Sequence, residues 1–274
     1  MSHRWRAYTV ALRFSVLSHA RNRLALLMAV FFVPVWIWVV KVTAYPTPVV
    51  FRLRAVGVEV SSSVDRIFQI SSALHALTVI TGFVTFRATF TARDMDERLV
   101  LAGYPRPQLL LAKVTTLIGV SMTLSLYATV LLRVSWPVLQ PVPLCVSLAV
   151  ASLAYGGIGL LAGSLLRGEL EGFFLIVMTT FLDTSLQNPV TNPYAQQSGL
   201  GALPLFGPAQ GANAAAFTHV DPGWSVLRAL LWCVLCACAG MVAFCLRTRF
   251  HSSGVASGPA AAHPEKVASG AVQE

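Results

Sequence analysis

The residue types best suited to chemistry gather in one stretch, Arg93-Asp94-Met95-Asp96-Glu97-Arg98-Leu99-Val100-Leu101-Ala102-Gly103-Tyr104-Pro105-Arg106-Pro107, closed by Lys113. Acids and bases mix over its first six residues, a short apolar turn follows, and Gly103-Tyr104-Pro105 interrupts the helix. Pro105 and Pro107 stop one helix and let another begin. The pattern predicts a short helix parallel to a membrane, with charges on one side and an apolar face on the other. Such an element docks a cytosolic partner, and Arg93, Asp94, Glu97, Arg98, Leu99, Leu101 and Arg106 are its contact residues. The plainer alternative is a solvated connection whose charges only set topology. A second charged turn holds Arg167, Glu169 and Glu171. Its acids are either a further docking contact or simply the residues a helix N-terminus favours.

Other candidates lie inside apolar segments. Asp183, near Gln187 and Asn188, is an ionisable group in a hydrophobic run and a functional candidate by default. It either lines a cationic route near the outer end or anchors a neighbouring external segment. Ser152, Gly156, Gly159 and Gly163 share one helical stripe. Small residues at that spacing let helices approach closely, within the chain, across a dimer seam or along a pathway. Cys233-x-x-Cys236-x-Cys238 superficially resembles a metal motif, but no His is near and the helix is apolar, so buried packing cysteines are the reading. His75 reads as packing rather than a proton relay. A phosphate-binding P-loop needs Gly-Lys before Ser or Thr. Here Lys41 follows Val40, Lys113 follows Ala112 and Lys266 follows Glu265, so this chain is not expected to be an enzyme that hydrolyses ATP.

The elements that position these residues follow from composition. Of 274 residues, 55% are hydrophobic and 11% charged, against roughly 25% charged in an average soluble domain. Too little polar surface exists to cover a soluble core, and hydrophobicity is too high for disorder. A polytopic membrane protein remains. Charges bracket its spans: 17 uncharged residues between Arg23 and Lys41, 20 between Arg66 and Arg87, and 19 between Lys113 and Arg133. Further spans fall at 144–166, 172–188 and 229–246, the fifth interrupted by Asp183. A crossing helix needs about 20 apolar residues. Fourteen of the 20 basic residues fall on one set of loops and both termini, which puts N- and C-termini in the cytoplasm. That bias accounts for the net charge of +9 without nucleic acid. Arg greatly outnumbers Lys, which suggests a GC-rich bacterial, actinobacterial genome and hence the bacterial plasma membrane.

The expected architecture is an all-α polytopic membrane protein. Residues 1–23 form a cytoplasmic interfacial helix, 24–250 six transmembrane helices with a short cytoplasmic coupling helix, and 251–274 a disordered tail. In the first segment Trp5, Tyr8, Leu12 and Val16 fall at helical spacing among arginines, which suits the inner leaflet and contact with membrane lipids. The Pro- and Gly-rich stretch 188–225 contains apolar pieces too short to span. It reads as an external segment dipping into the membrane edge, packed against protein. No internal repeat is evident, which argues against a transporter of inverted halves.

This combination resembles the ABC-2 type permease family, the membrane subunits of ATP-binding-cassette transporters. Glu97, Leu99, Leu101, Pro105, Arg106 and Lys113 match its loop after the second span, and the likeness covers roughly residues 2–250. Two departures are Asp94-Met95-Asp96 where the family has Gly-Thr, and Asp183 in the fifth span. The resemblance implies a permease subunit exporting a hydrophobic or amphipathic small molecule or lipid. It implies a cytosolic ATPase partner holding ATP and Mg, since this chain carries no cofactor of its own, and a second permease copy or homologue. The alternative is a membrane-embedded enzyme or an autonomous transporter without an ATPase.

Overall fold

The computed structural model of the chain describes residues 3–54, 56–195, 197–220, 223 and 227–255. The first helix, α1, spans His3–Arg21. After Asn22 the chain turns into α2, Arg23–Leu27, which passes through a π-helical turn, Met28–Phe32, into α3, Val33–Thr43. The π turn has an identifiable cause. Pro34 offers no N–H to the carbonyl of Val30, and its ring crowds the preceding turn. The Val30 carbonyl, to which Pro34 cannot donate, accepts from the Tyr127 hydroxyl at 3.2 Å.

An antiparallel hairpin follows, β1 Pro48–Leu53 and β2 Val58–Ser63, with Phe51 opposite Val60. Its turn closes on Gly57 at φ +68°, a conformation that costs glycine nothing. Then come α4, Val64–Leu101; α5, Arg106–Ser135; α6, Pro141–Leu165; and α7, Glu169–Gln187. A 3₁₀ turn, Ser198–Ala202, precedes α8, Phe206–Phe217, and α9 runs Leu227–Val255. Among the described residues three helices, α4, α5 and α6, are long and apolar enough to cross a membrane, and Met28–Thr43 and Leu227–Ala243 are shorter apolar helices. The chain is a helical protein built for a membrane.

The bundle has a hairpin end, which also holds the α5–α6 turn, and a basic end, which holds the α4–α5 and α6–α7 turns. At its centre lies α6, packed on α4, α5, α7, α8 and α9. Its small residues make that possible. A Cβ on Gly159 would stand 2.2 Å from the Gly82 carbonyl oxygen of α4, and one on Gly163 would stand 2.7 Å from the Phe86 carbonyl oxygen. Gly157 meets the Cys233 backbone of α9, and Gly156 meets Leu117 of α5. The glycine stripe is therefore used within the chain. The largest buried cluster joins Ile70, Leu74, Leu77 and Ile80 of α4 to Leu144, Leu148, Ala151 and Tyr155 of α6.

One expectation is corrected and two are refined. The helical membrane architecture expected from the sequence carries in addition one β-hairpin, β1–β2. There is no separate short coupling helix: residues 87–101 contain no Pro or Gly, and α4 continues unbroken to Leu101. The segment between α7 and α9 does fold back into the protein. Nearly all of α8 is buried. Its C-terminal carbonyls of Ala215 and Ala216 accept from the backbone of Gln140 and Leu139 at the hairpin end. Residues 256–274 of the expected tail lie outside the described residues.

Candidate functional site

The basic end is dominated by the overshoot of α4. From Arg87 to Leu101 the helix runs about 21 Å at 1.5 Å per residue. Its end is a full Schellman motif. Gly103 adopts φ +88°, its N–H donates to Val100, and the Tyr104 N–H donates to Leu99. These bonds satisfy carbonyls the helix would otherwise leave open. Pro105 and Pro107 then launch α5. On the protruding tip Asp94, Met95, Arg98 and Leu101 are exposed, Leu101 at 67%. Glu97, Leu99 and Arg106 are half-buried.

Not every nominated residue faces outward. Arg93 turns into the bundle, where one guanidinium nitrogen donates to the carbonyls of Gly163 and Leu166, both at 2.7 Å, and the group lies over the Phe90 ring. It caps the C-terminus of α6, where a cation complements the helix dipole. Arg93, half-buried, is thus held within the chain as a strut between α4 and α6. Asp96 likewise turns inward, buried and paired with Lys113 at 2.5 Å, so the α4 overshoot is bonded to the first half of α5.

The second charged turn sits at the same end. Glu169 pairs with Arg87 at 3.3 Å, both half-exposed. Glu169 and Glu171 occupy the first turn of α7, where acids suit the dipole. Leu170 between them is 83% exposed. The structure thus brings both sequence-nominated turns to one surface, joined by Arg87 and Arg93. A protruding tip beside an exposed apolar and acidic turn offers a docking face of mixed charge.

A second polar node lies deeper, and half of it was missed from sequence. Asp183 is 4% exposed. Its Oδ2 accepts from the Tyr155 hydroxyl at 2.7 Å and the Leu205 N–H at 3.0 Å, and its Oδ1 accepts from Gln187 Nε2 at 3.2 Å. Tyr155 is at the middle of α6, and Asp183 lies in the second half of α7, away from the basic end. Leu205 is the N-cap of α8, so the carboxylate anchors that helix where its dipole is positive. The signal for Tyr155 was present: a tyrosine in a run of Ala, Gly and Leu needs a partner for its hydroxyl. Next to the node, Asn188 donates to Ser71 Oγ of α4 at 3.1 Å, and the Ser152 carbonyl accepts from Thr81 at 3.1 Å.

The remaining candidates are packing. His75 lies between Trp36 and Phe181. Cys233 and Cys236 are buried whereas Cys238 is exposed, and among the described residues no three His, Cys, Asp or Glu side chains group as metal ligands. No protein-family model matches the chain, and no curated protein matches it.

Proposed function

We propose that the chain is the membrane-spanning permease subunit of an ATP-binding-cassette transporter of the ABC-2 type. It exports a hydrophobic or amphipathic small molecule or lipid and is driven by a separate cytosolic ATPase that holds ATP and Mg. In this reading the chain crosses the bacterial plasma membrane six times, by α2–α3, α4, α5, α6, α7 and α9. The basic end and both termini are cytoplasmic, and a second permease copy or homologue completes the pathway. The observation that carries the reading is the α4 overshoot: a charged, capped helix tip standing beside the Glu169–Glu171 turn. A tip bonded to α5 through Asp96–Lys113 and to α6 through Arg93 passes a push at the tip into the bundle. The buried α8, set against α6 and anchored by Asp183, supports the reading as the element that closes the far end.

The experiment is co-purification of the tagged full chain from its native membrane in mild detergent. A stoichiometric soluble ATPase with its own P-loop is expected, and it is expected to be lost in the Arg98→Glu, Leu101→Arg double variant at unchanged thermal stability. Recovery of the chain alone, with a control membrane complex intact, overturns the proposal and favours an enzyme or autonomous transporter.

A further inference from the structure

α1 is tied to the rest of the chain through its first half. The Tyr104 hydroxyl donates to the Ala7 carbonyl, and the Tyr8 hydroxyl donates to Thr115 Oγ1 at 3.0 Å. Beyond these ties a cavity of about 390 Å³ opens between α1, α4 and α5. Its wall on α4 is Thr85, Ala88, Thr89, Ala92, Met95 and Leu99, a stripe at three- and four-residue spacing. The stripe runs about 21 Å along the helix axis, so the cavity is a slot rather than a sphere. An acyl chain of one leaflet reaches about 15 Å, so the slot, which runs from the bundle along the overshoot of α4, is long enough to hold one. Ala88, Ala92 and Ala112 make the space by contributing no atoms beyond Cβ, and Phe14 covers it from α1. Its charged groups are the Asp96–Lys113 pair on the wall, and its other polar residues are Thr85, Thr89 and Tyr104 with Ser15, Ser18 and His19 from α1.

Shape and charge select the occupant. A long apolar slot beneath an interfacial helix takes a hydrocarbon chain, and its polar fringe takes the head group. α1 holds Arg6 and Arg13, both exposed, and Arg21, and from His3 to Arg21 it has no acidic residue. Such a helix attracts an anionic head group over a zwitterionic one. We propose that the slot is a resident site for an acyl chain of one anionic phospholipid, with its phosphate beside the arginines of α1. The bound chain joins α1 to α4 and α5 where side chains leave a gap. The inference stands whether or not the chain works with an ATPase.

The test purifies the full chain in mild detergent, exchanges the detergent extensively and counts retained lipid by native mass spectrometry. One phosphatidylglycerol-class lipid per chain is expected to remain. Two variants probe the site independently: Ala92→Phe fills the slot, and Arg6→Glu with Arg13→Glu removes the charge without touching the interior. Each is expected to weaken rebinding of added phosphatidylglycerol about tenfold or more. The control Leu126→Phe, on an exposed face of α5, is expected to leave it unchanged. No retained lipid, equal rebinding of phosphatidylcholine, or undiminished rebinding in the charge-reversed variant overturns the proposal.

Discussion

Replacing Asp183 by leucine should unfasten α8, whereas asparagine should nearly preserve it. In Asp183→Leu the Tyr155 hydroxyl, the Leu205 N–H and the Gln187 amide all lose their acceptor. A buried donor left unsatisfied costs about 1–3 kcal/mol. Gln187 can rotate away and the Tyr155 hydroxyl falls back on the Thr179 carbonyl at 3.4 Å, so the stranded Leu205 N–H, the weakened Tyr155 bond and the lost charge at the α8 N-terminus together give about 4 kcal/mol. Asp183→Asn keeps one oxygen for Tyr155 and Leu205. Its new NH₂ can donate to Gln187 Oε1, which is buried without a partner and would be turned toward it by an amide flip. What asparagine loses is the charge at the α8 N-terminus, about 1 kcal/mol. By the scaling for domains of about 150–250 residues, these correspond to thermal shifts of roughly 10 °C and 3 °C. Intrinsic fluorescence melts of the purified chain in detergent read both, and limited proteolysis of residues 188–205 reports whether α8 has come loose. Equal losses in the two variants would refute the hydrogen-bond account and leave the charge itself as the requirement. A leucine variant melting with the parent would refute the anchor altogether.

Further outcomes follow from the same contacts. Gly159→Leu should prevent folding or cost at least about 3 kcal/mol, since even a Cβ meets the Gly82 carbonyl. Gly119→Ala, with open space around it, should leave expression and melting unchanged or slightly improved. Arg93→Leu should lower stability by about 2 kcal/mol through the uncapped α6 carbonyls, while Arg98→Ala on the exposed tip should not change the melt. Phe217→Ala should free the hairpin, because Phe217 meets both Phe51 and Trp136. Hydrogen exchange across residues 48–63 should then accelerate at least tenfold over the parent, with the centre of α6 unaffected.

Much of this was legible because membrane insertion leaves plain marks. Uncharged runs between basic residues located α4, α5 and α6, although prolines were expected to hold α6 back to 144 and it starts at Pro141, with Pro143 in its first turn. The inward dip of 188–225 was legible because its apolar pieces were too short to cross and too apolar to be a free loop. The hairpin was not foreseen, although Phe51 and Leu53 alternate with Arg52 and Arg54 and Gly57 marks the turn. Its inner face packs on Ile67 and Ala214, a partner no local pattern reveals. The charged stretch was recognised as special, but types alone could not sort its members. Arg93 and Asp96 answer carbonyls and a lysine on other helices, while Arg98, one turn and a half along from Arg93, faces out. Helical phase against neighbours decides that, and the phase is set by the Gly82–Gly159 crossing.

That crossing gives α4 the mechanics of a rigid beam on a pivot. No proline interrupts the helix, and its backbone lies against α6 most closely near Gly82, almost midway between Val64 and Leu101. Each arm is about 28 Å long. A tilt of about 5° at the pivot carries the Leu101 tip some 2.5 Å one way and the hairpin end a similar distance the other, with lengths taken from the helix rise. Ser71, on the far arm, moves with it and draws on Asn188, directly beyond the helix that holds Asp183. A helix that tilts about such a crossing moves its two ends in opposite directions, so the Leu101 tip and the hairpin end of the bundle are linked through a single piece of secondary structure.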